Sequence, residues 1–283
     1  MEKLVSMSKN ISTGERLEFY DFSNVTVEHL HRYALAGEFV SNKVILDIAS
    51  GEGYGANILA QKALEVVGVD IDIESVNNAR AKYSRNNLRF IVGSADNIPI
   101  ESNSIDVVIS FETVEHHDKH DEMMLEIKRV LKKDGILIMS SPDKKYYSDL
   151  KGQTNPFHVK ELYFDEFKNL VTQHFNYTNF VFQNSFNLNS FIGKSNYFCH
   201  KNIYSGDERN IKSNVNYPVY NIVIASDLTF NDIENSFFDG TDINERLYNG
   251  FIENTKASTT FRVGKTIIYP LNFIKRILKR ALA

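Results

Sequence analysis

Between residues 44 and 140, five short and largely apolar runs alternate with helix-like segments, and this alternation constrains the fold more than any other feature. The runs are 44–49 (VILDIA), 65–70 (EVVGVD), 88–92 (LRFIV), 105–110 (IDVVIS) and 135–140 (GILIMS), with helical patterns at 54–63, 73–84 and 119–132. Short apolar runs bounded by turn formers read as strands covered on both faces. Strand, helix, strand order calls for right-handed crossovers between parallel strands, so the pattern predicts an open, doubly wound α/β sheet. Flanking it, 25–40 and 160–174 read as helices, and two later β-like runs, 177–183 (YTNFVFQ) and 218–226 (PVYNIVIAS), bring the strand count to seven. The 184–217 stretch between those two runs is rich in Asn, Ser and aromatics. It is long for a connection in a compact domain, and reads as an insertion that is either substrate-facing or partly mobile. The expected division is an N-terminal lid segment 1–24, a main domain 25–226 and a C-terminal extension 227–283.

Composition excludes several classes. The chain has 283 residues, 24 % charged and 42 % hydrophobic, with a formal net charge of -4. These are values of a globular protein with no global attraction for nucleic acid. One cysteine, Cys199, cannot form an internal disulfide or a cysteine zinc site, which points to a reducing compartment. No apolar run approaches the roughly 20 residues that span a bilayer, and the opening MEKLVSMSKN lacks a signal-peptide core. The expected location is therefore cytoplasmic.

Directly after the first strand run come Asp47 and then Gly51, Gly53 and Gly55 on alternate positions, before a helix. Glycines serve where backbone turns at positive φ or where a ligand leaves no room for a Cβ, and a helix N-terminus adds free N–H groups. A dinucleotide fingerprint spaces its glycines G-x-G-x-x-G to hold a pyrophosphate. Here the third glycine comes one residue early, and the acids Asp47 and Glu52 flank the loop. Carboxylates repel pyrophosphate and suit a ligand bearing an ammonium and a sulfonium, which weighs against a nicotinamide dehydrogenase. The second strand ends at Asp70, where an acid accepts hydrogen bonds from the two hydroxyls of a ribose; the competing role, a helix cap, fits Asp72 better. Asp96, in GSADNIPI, is placed either to accept an adenine amino group or to form a turn with Asn97.

Taken in order, DIASGEGYGA, VVGVDID, GSAD, SIDVVISFETVEHH and VLKKDGILIMSSPD resemble the motif set of class I S-adenosylmethionine-dependent methyltransferases over residues 44–143. GERLEFYDF, EHLHRYALA and NPFHVKELYFDEF are similar to members that modify bacterial surface polysaccharides. The resemblance implies S-adenosyl-L-methionine as cofactor and a sheet whose last strand, YNIVIAS, is antiparallel. It places Gly51, Gly53 and Gly55 at the methionine portion, Asp70 at the ribose, Ala95 and Asp96 at the adenine, and Ser110 and Phe111 on the far wall, with Asp47, Tyr54 and Ile71 also among the cofactor-binding residues. It also suggests that Arg32 or Tyr33 meets the cofactor's carboxylate or the acceptor. Ala49 stands where many relatives carry Gly or Cys.

The segment FETVEHHDKH follows the fourth strand, at the carboxyl edge where open α/β sheets hold ligands. Methyl transfer from a sulfonium is an in-line displacement, so the protein positions two partners and, for a hydroxyl acceptor, takes up a proton. His116 is the expected base, with Glu115 beside it and His158, in NPFH, as a second candidate; the alternative is that these residues begin a solvated helix. Glu112, Glu115 and His116 also resemble an E-x-x-E-H trio that holds a divalent cation in some quinone-pathway O-methyltransferases, and oxygen-rich ligation would suit magnesium or manganese. The acceptor expected from the resemblance is a sugar, glycan or other small molecule. A catalytically inactive, methyltransferase-like scaffold at a membrane is the rival reading. Both readings draw on 270–283 (PLNFIKRILKRALA), where Lys275, Arg276, Lys279 and Arg280 share one sector of about 140° of a basic amphipathic helix. That helix is expected either to contact the inner face of a membrane or a membrane-associated partner, which would make the enzyme peripheral, or to pack on the domain.

Overall fold

A computed structural model describes residues 23–194, 202–215 and 217–266. Cys199, the basic helix at 270–283 and all but the last two residues of the 1–24 segment lie outside the described residues. The chain divides into two compact units after Phe238. The first unit opens with helix α1 (Asn24–Ala36) and continues through β1 (Val44–Ile48), α2 (Tyr54–Leu59), β2 (Glu65–Asp70), α3 (Ile73–Lys82), β3 (Leu88–Val92) and β4 (Ile105–Ser110). It goes on with α4 (His120–Val130), β5 (Leu131–Pro142), a single turn α5 (Lys144–Tyr147), α6 (Phe164–Thr172), β6 (Tyr177–Phe186) and β7 (Asn189–Gly193). The strands β8 (Asn202–Gly206) and β9 (Ile211–Val215) pair only with each other, and β10 (Tyr220–Ser226) and β11 (Ser236–Phe238) complete the unit. The second unit contains α7 (Thr241–Ala257). No helix among the described residues is long and apolar enough to cross a membrane.

The sheet runs β11-β7-β6-β10-β5-β4-β1-β2-β3. Strands β3, β2, β1, β4 and β5 are parallel, and β10 enters antiparallel between β5 and β6. The seven strands read from the sequence are all present, and YNIVIAS is the reversed strand, buried along its whole length. Alternate residues face opposite layers, as the period of a strand requires. Ile45, Val66, Val107, Ile138 and Ile222 pack with Leu35, Leu59 and Val76 on one side, and Leu46, Val67, Val108, Leu137 and Val223 pack with Met123, Ile127 and Phe167 on the other.

Two more strands extend the sheet. The expected insertion begins by prolonging β6, turns at Asn187 and Leu188, both at positive φ, and returns as β7; β11 then pairs with β7. That two-residue turn has the backbone signs of a type I′ hairpin. Residues 227–238, read as the start of the extension, thus include a strand of the main sheet. A physical tie explains the placement: His31 on α1 reaches Ser190 of β7 with Nδ1 (3.0 Å) and Ser236 of β11 with Nε2 (2.9 Å).

Candidate functional site

The glycine loop turns at the carboxyl end of β1, with Ala49 (φ 56°), Gly51 (φ 52°) and Gly53 (φ 80°) in the left-handed region. The backbone of Ala49 is therefore in the conformation that glycine tolerates best, the physical reason a glycine suits this position. The three glycines do different things. A Cβ on Gly53 would lie 2.5 Å from the Phe90 ring, and one on Gly55 would lie 1.9 Å from Tyr33. Their missing side chains make room for the protein's own aromatics. A Cβ on Gly51 would meet nothing within 4 Å, so the loop is open to the cleft at that residue.

Asp70 closes the loop from the end of β2. Its carboxylate accepts from Gly51 N (2.7 Å) and Asp72 N (2.9 Å), while Asp72 caps α3 by accepting from Ser75 N (2.9 Å). The cap thus falls to Asp72, as the sequence suggested. A carboxylate offers about four acceptor positions, so Asp70 keeps capacity for two further donors. Beside it Ile71 is 73 % exposed, an apolar surface at the cleft. Ser110, at the end of β4, is fully buried, and its hydroxyl has no hydrogen-bond partner among the described residues.

Asp47 lies under the loop and is 1 % exposed, with both carboxylate oxygens 3.2 Å from the Tyr33 hydroxyl that donates to them. Burial pushes its carboxyl up to about 7. Tyr33 is clamped edge-on between Tyr54 (5.6 Å) and Phe111 (5.1 Å). Phe111 is buried in that contact, and Tyr54 is tied to His29 Nδ1 through its hydroxyl (2.8 Å). After the third strand the turn reading of Asp96 is what the structure shows. It sits in a turn closed by Asn97 N to Ser94 O (3.1 Å), and Lys119 (2.6 Å) holds its carboxyl down to about 2. Ala95 is half-buried against the core next to it.

Two sequence expectations give way on the other side of the cleft. Arg32, expected to meet the cofactor's carboxylate, is 1 % exposed and is already paired: Nη1 lies 3.0 Å from Glu112, Nε donates to Gln183 Oε1 (2.7 Å), and the guanidinium stands 4.6 Å over the Tyr220 ring. Glu112, expected among the metal ligands, is held by Arg32 and by the Ser140 hydroxyl (2.6 Å), with its own backbone at φ 50°. A buried guanidinium requires such a counter-charge.

Glu115 and His116 lie on a 3₁₀ turn (Val114–His116), and His158 is brought to them by the loop before α6, whose Val159 and Lys160 N–H groups donate to the Glu115 carbonyl (2.8 and 3.0 Å). The two imidazoles stand edge-on at 5.1 Å. Glu115 is buried, His116 is exposed, and donor atoms of Glu115, His116 and His158 lie within 4.8 Å of one another. Sequence reasoning missed Glu161, whose carboxylate meets His158 Nδ1 (2.6 Å) and accepts from Ser148 (2.8 Å), and Tyr147, which stacks on His158 at 5.4 Å. The His158 to Glu161 spacing of three residues was the available signal. Next to them Tyr146 stacks on Tyr217 at 5.2 Å.

Residues 46–139 match the family model described as "Methyltransferase domain". The chain is 35 % identical over 119 residues to the "Probable S-adenosylmethionine-dependent methyltransferase" of Mycolicibacterium smegmatis, covering 42 % of this chain and 46 % of that protein. It is 25 % identical over 128 residues to the fatty-acid O-methyltransferase of the same species, covering 42 % and 47 %. The chain thus spans about half the length of these relatives. Among solved structures, the YcgJ protein of Bacillus subtilis superposes with a TM-score of 0.54 at 18 % identity, over 71 % of this chain and 100 % of that one.

Proposed function

We propose that this chain, whose residues 46–139 carry the class I methyltransferase domain, transfers the methyl group of S-adenosyl-L-methionine to the oxygen of an acceptor bound at the ends of β4 and β5. The observation that carries the reading is Asp70, which anchors the open Gly51 loop by one backbone bond and keeps capacity for a vicinal diol. The residues fit the cofactor: Gly51 leaves space, Asp70 receives the ribose, Ile71 offers an apolar face to the base, and the Ser110 hydroxyl lacks a partner among the described residues. When bound, the cofactor supplies an electrophilic methyl group and leaves as a neutral thioether. The protein's share is to position both partners and to receive a proton from a hydroxyl acceptor. His116 is exposed at the sheet edge and His158 is held by Glu161 and Tyr147, observations that support assigning this proton uptake to these imidazoles.

For the acceptor we propose a sugar or glycan intermediate of surface polysaccharide synthesis. Tyr146, Tyr147 and Tyr217 offer aromatic faces with polar edges around His158, a surface suited to a ring with both apolar faces and hydroxyls. The fatty-acid relative is matched over 42 % of this chain, and leaves the acceptor of this chain open to that assignment.

Titration calorimetry with S-adenosylhomocysteine tests the reading. Binding by the parent should weaken about 100-fold in Asp70→Ala, the loss of two hydrogen bonds to a charged group, and change little in Asp72→Ala, which removes only a helix cap. A parent chain that does not bind the product overturns the proposal.

A further inference from the structure

The acceptor edge carries more order than proton transfer requires. His116 directs Nδ1 at the Phe157 carbonyl (3.2 Å), and His158 directs Nδ1 at the Glu161 carboxylate (2.6 Å). A ring nitrogen facing an acceptor carries the proton, so in both rings the lone pair is on Nε2. The Asn155 amide nitrogen, 3.0 Å from His158 Nε2, agrees with that tautomer, because it can donate only to a lone pair. Histidines that bind metals are oriented in this way: the far ring nitrogen donates to a carboxylate or a carbonyl, which fixes the tautomer and raises the basicity of the other. The buried carboxylate of Glu115 completes a set of three donors within 4.8 Å of one another.

We propose that Glu115, His116 and His158 bind a first-row divalent transition ion through two Nε2 atoms and one carboxylate oxygen. Two imidazoles and one carboxylate favour zinc and its neighbours over magnesium, which prefers oxygen ligands. This replaces the oxygen-rich set of Glu112, Glu115 and His116, since Glu112 is committed to Arg32. The ligands come from two segments 42 positions apart in sequence (116 to 158), joined by the bonds from Val159 and Lys160 to the Glu115 carbonyl. Binding displaces the Asn155 amide from His158. Three protein ligands would leave a coordination position open for a further ligand, and His116 is exposed to solvent. The inference rests on the proposed methyl transfer only for the ion's use: with an ion bound, the imidazoles hold it, and it, not they, polarises the acceptor hydroxyl.

The test uses the full chain with no affinity tag, stripped with a chelator and titrated with Zn²⁺ and separately with Mg²⁺. One Zn²⁺ should bind per chain, with Mg²⁺ far weaker. His116→Ala and His158→Ala should each lower Zn²⁺ affinity on the order of 100-fold or more, and Glu161→Gln about 10- to 100-fold, the range for removing an orienting partner. Titration with S-adenosylhomocysteine reports in parallel whether each variant is folded. Absent Zn²⁺ binding, or binding unchanged in the His116→Ala, His158→Ala double variant, overturns the proposal. Failure of the methyl-transfer reading would appear in the S-adenosylhomocysteine titration of the parent instead, so the two failures are distinguishable.

Discussion

Around β1 and β2 the groups that face the cleft come from two short stretches, 47–55 and 70–72, and backbone does most of the work: three residues at positive φ, the Gly51 N–H on Asp70, and the open space over Gly51. Around β4 and β5 the corresponding groups are side chains gathered from 28 to 32, 112 to 116, 140, 158 to 161, 183 and 220, and held by charge and hydrogen bonding. The difference teaches where each half of the site is specified. A backbone cradle is local and survives as a motif, whereas a side-chain constellation exists only once strands distant in sequence are neighbours.

The largest expected effect tests whether the halves are separable. His158→Ala removes the imidazole from the acceptor edge, whether it takes the proton itself or holds an ion that polarises the hydroxyl. It should lower turnover about 1,000-fold, within the range for losing proton-transfer assistance, while S-adenosylhomocysteine affinity stays within about 2-fold of the parent by calorimetry; a parallel loss of product binding would break the comparison.

Next in size is the buried pair that holds the acceptor side together. Glu112→Gln leaves the Arg32 guanidinium, 1 % exposed, without its nearest counter-charge, and should cost about 3 kcal/mol in urea unfolding. A loss under about 1 kcal/mol would mean that Gln183 and the Tyr220 face suffice to hold the cation.

The smallest effect concerns pH. Burial raises the folded-state Asp47 carboxyl from its ordinary 3.8 to about 7. Above pH 7 the group is ionised in both states and the fold carries the whole cost of a buried charge. As pH falls from about 7 toward 3.8 the folded state takes up the proton first, and that cost disappears. His31 acts the other way: burial lowers it from 6.5 to about 4, so stability is lost as pH falls through that interval. The two groups titrate in the same interval with opposite sign, so Asp47→Asn should remove the loss of melting temperature that accompanies rising pH between 3.8 and about 7, uncover the opposing His31 rise between about 4 and 6.5, and leave the slope above pH 7 unchanged. A profile between pH 3.8 and 7 that is the same in Asp47→Asn as in the parent would assign that dependence to another group.

How much of this was legible follows the same division. The five parallel strands, the Asp72 cap and the reversed strand at 220–226 were readable because apolar runs and capping residues report on their own neighbourhood. β7 was not, because its hairpin turns on Asn187 and Leu188 without a glycine to mark it. Nor was the commitment of Arg32: an arginine on a helix reads as exposed or ligand-facing until Glu112, 80 positions on, is known to lie 3.0 Å away. Glu161 was hidden in the same manner, since a carboxylate three residues after a histidine is ordinary on a helix approach, and becomes informative only when His116 stands across from that histidine.

The sequence by itself determined the doubly wound sheet, the glycine loop and the acid at the end of β2, since each is set by local periodicity, by turn sterics or by a residue's position at a strand end. Tertiary structure alone decided which glycine opens to the cleft, that β7 and β11 lengthen the sheet, and that His158 rather than Glu112 joins Glu115 and His116. The reason is that these depend on which side chains the folded strands bring together: a charge entering a low-dielectric interior takes the nearest opposite charge, as Arg32 takes Glu112, and that pairing is set only in three dimensions.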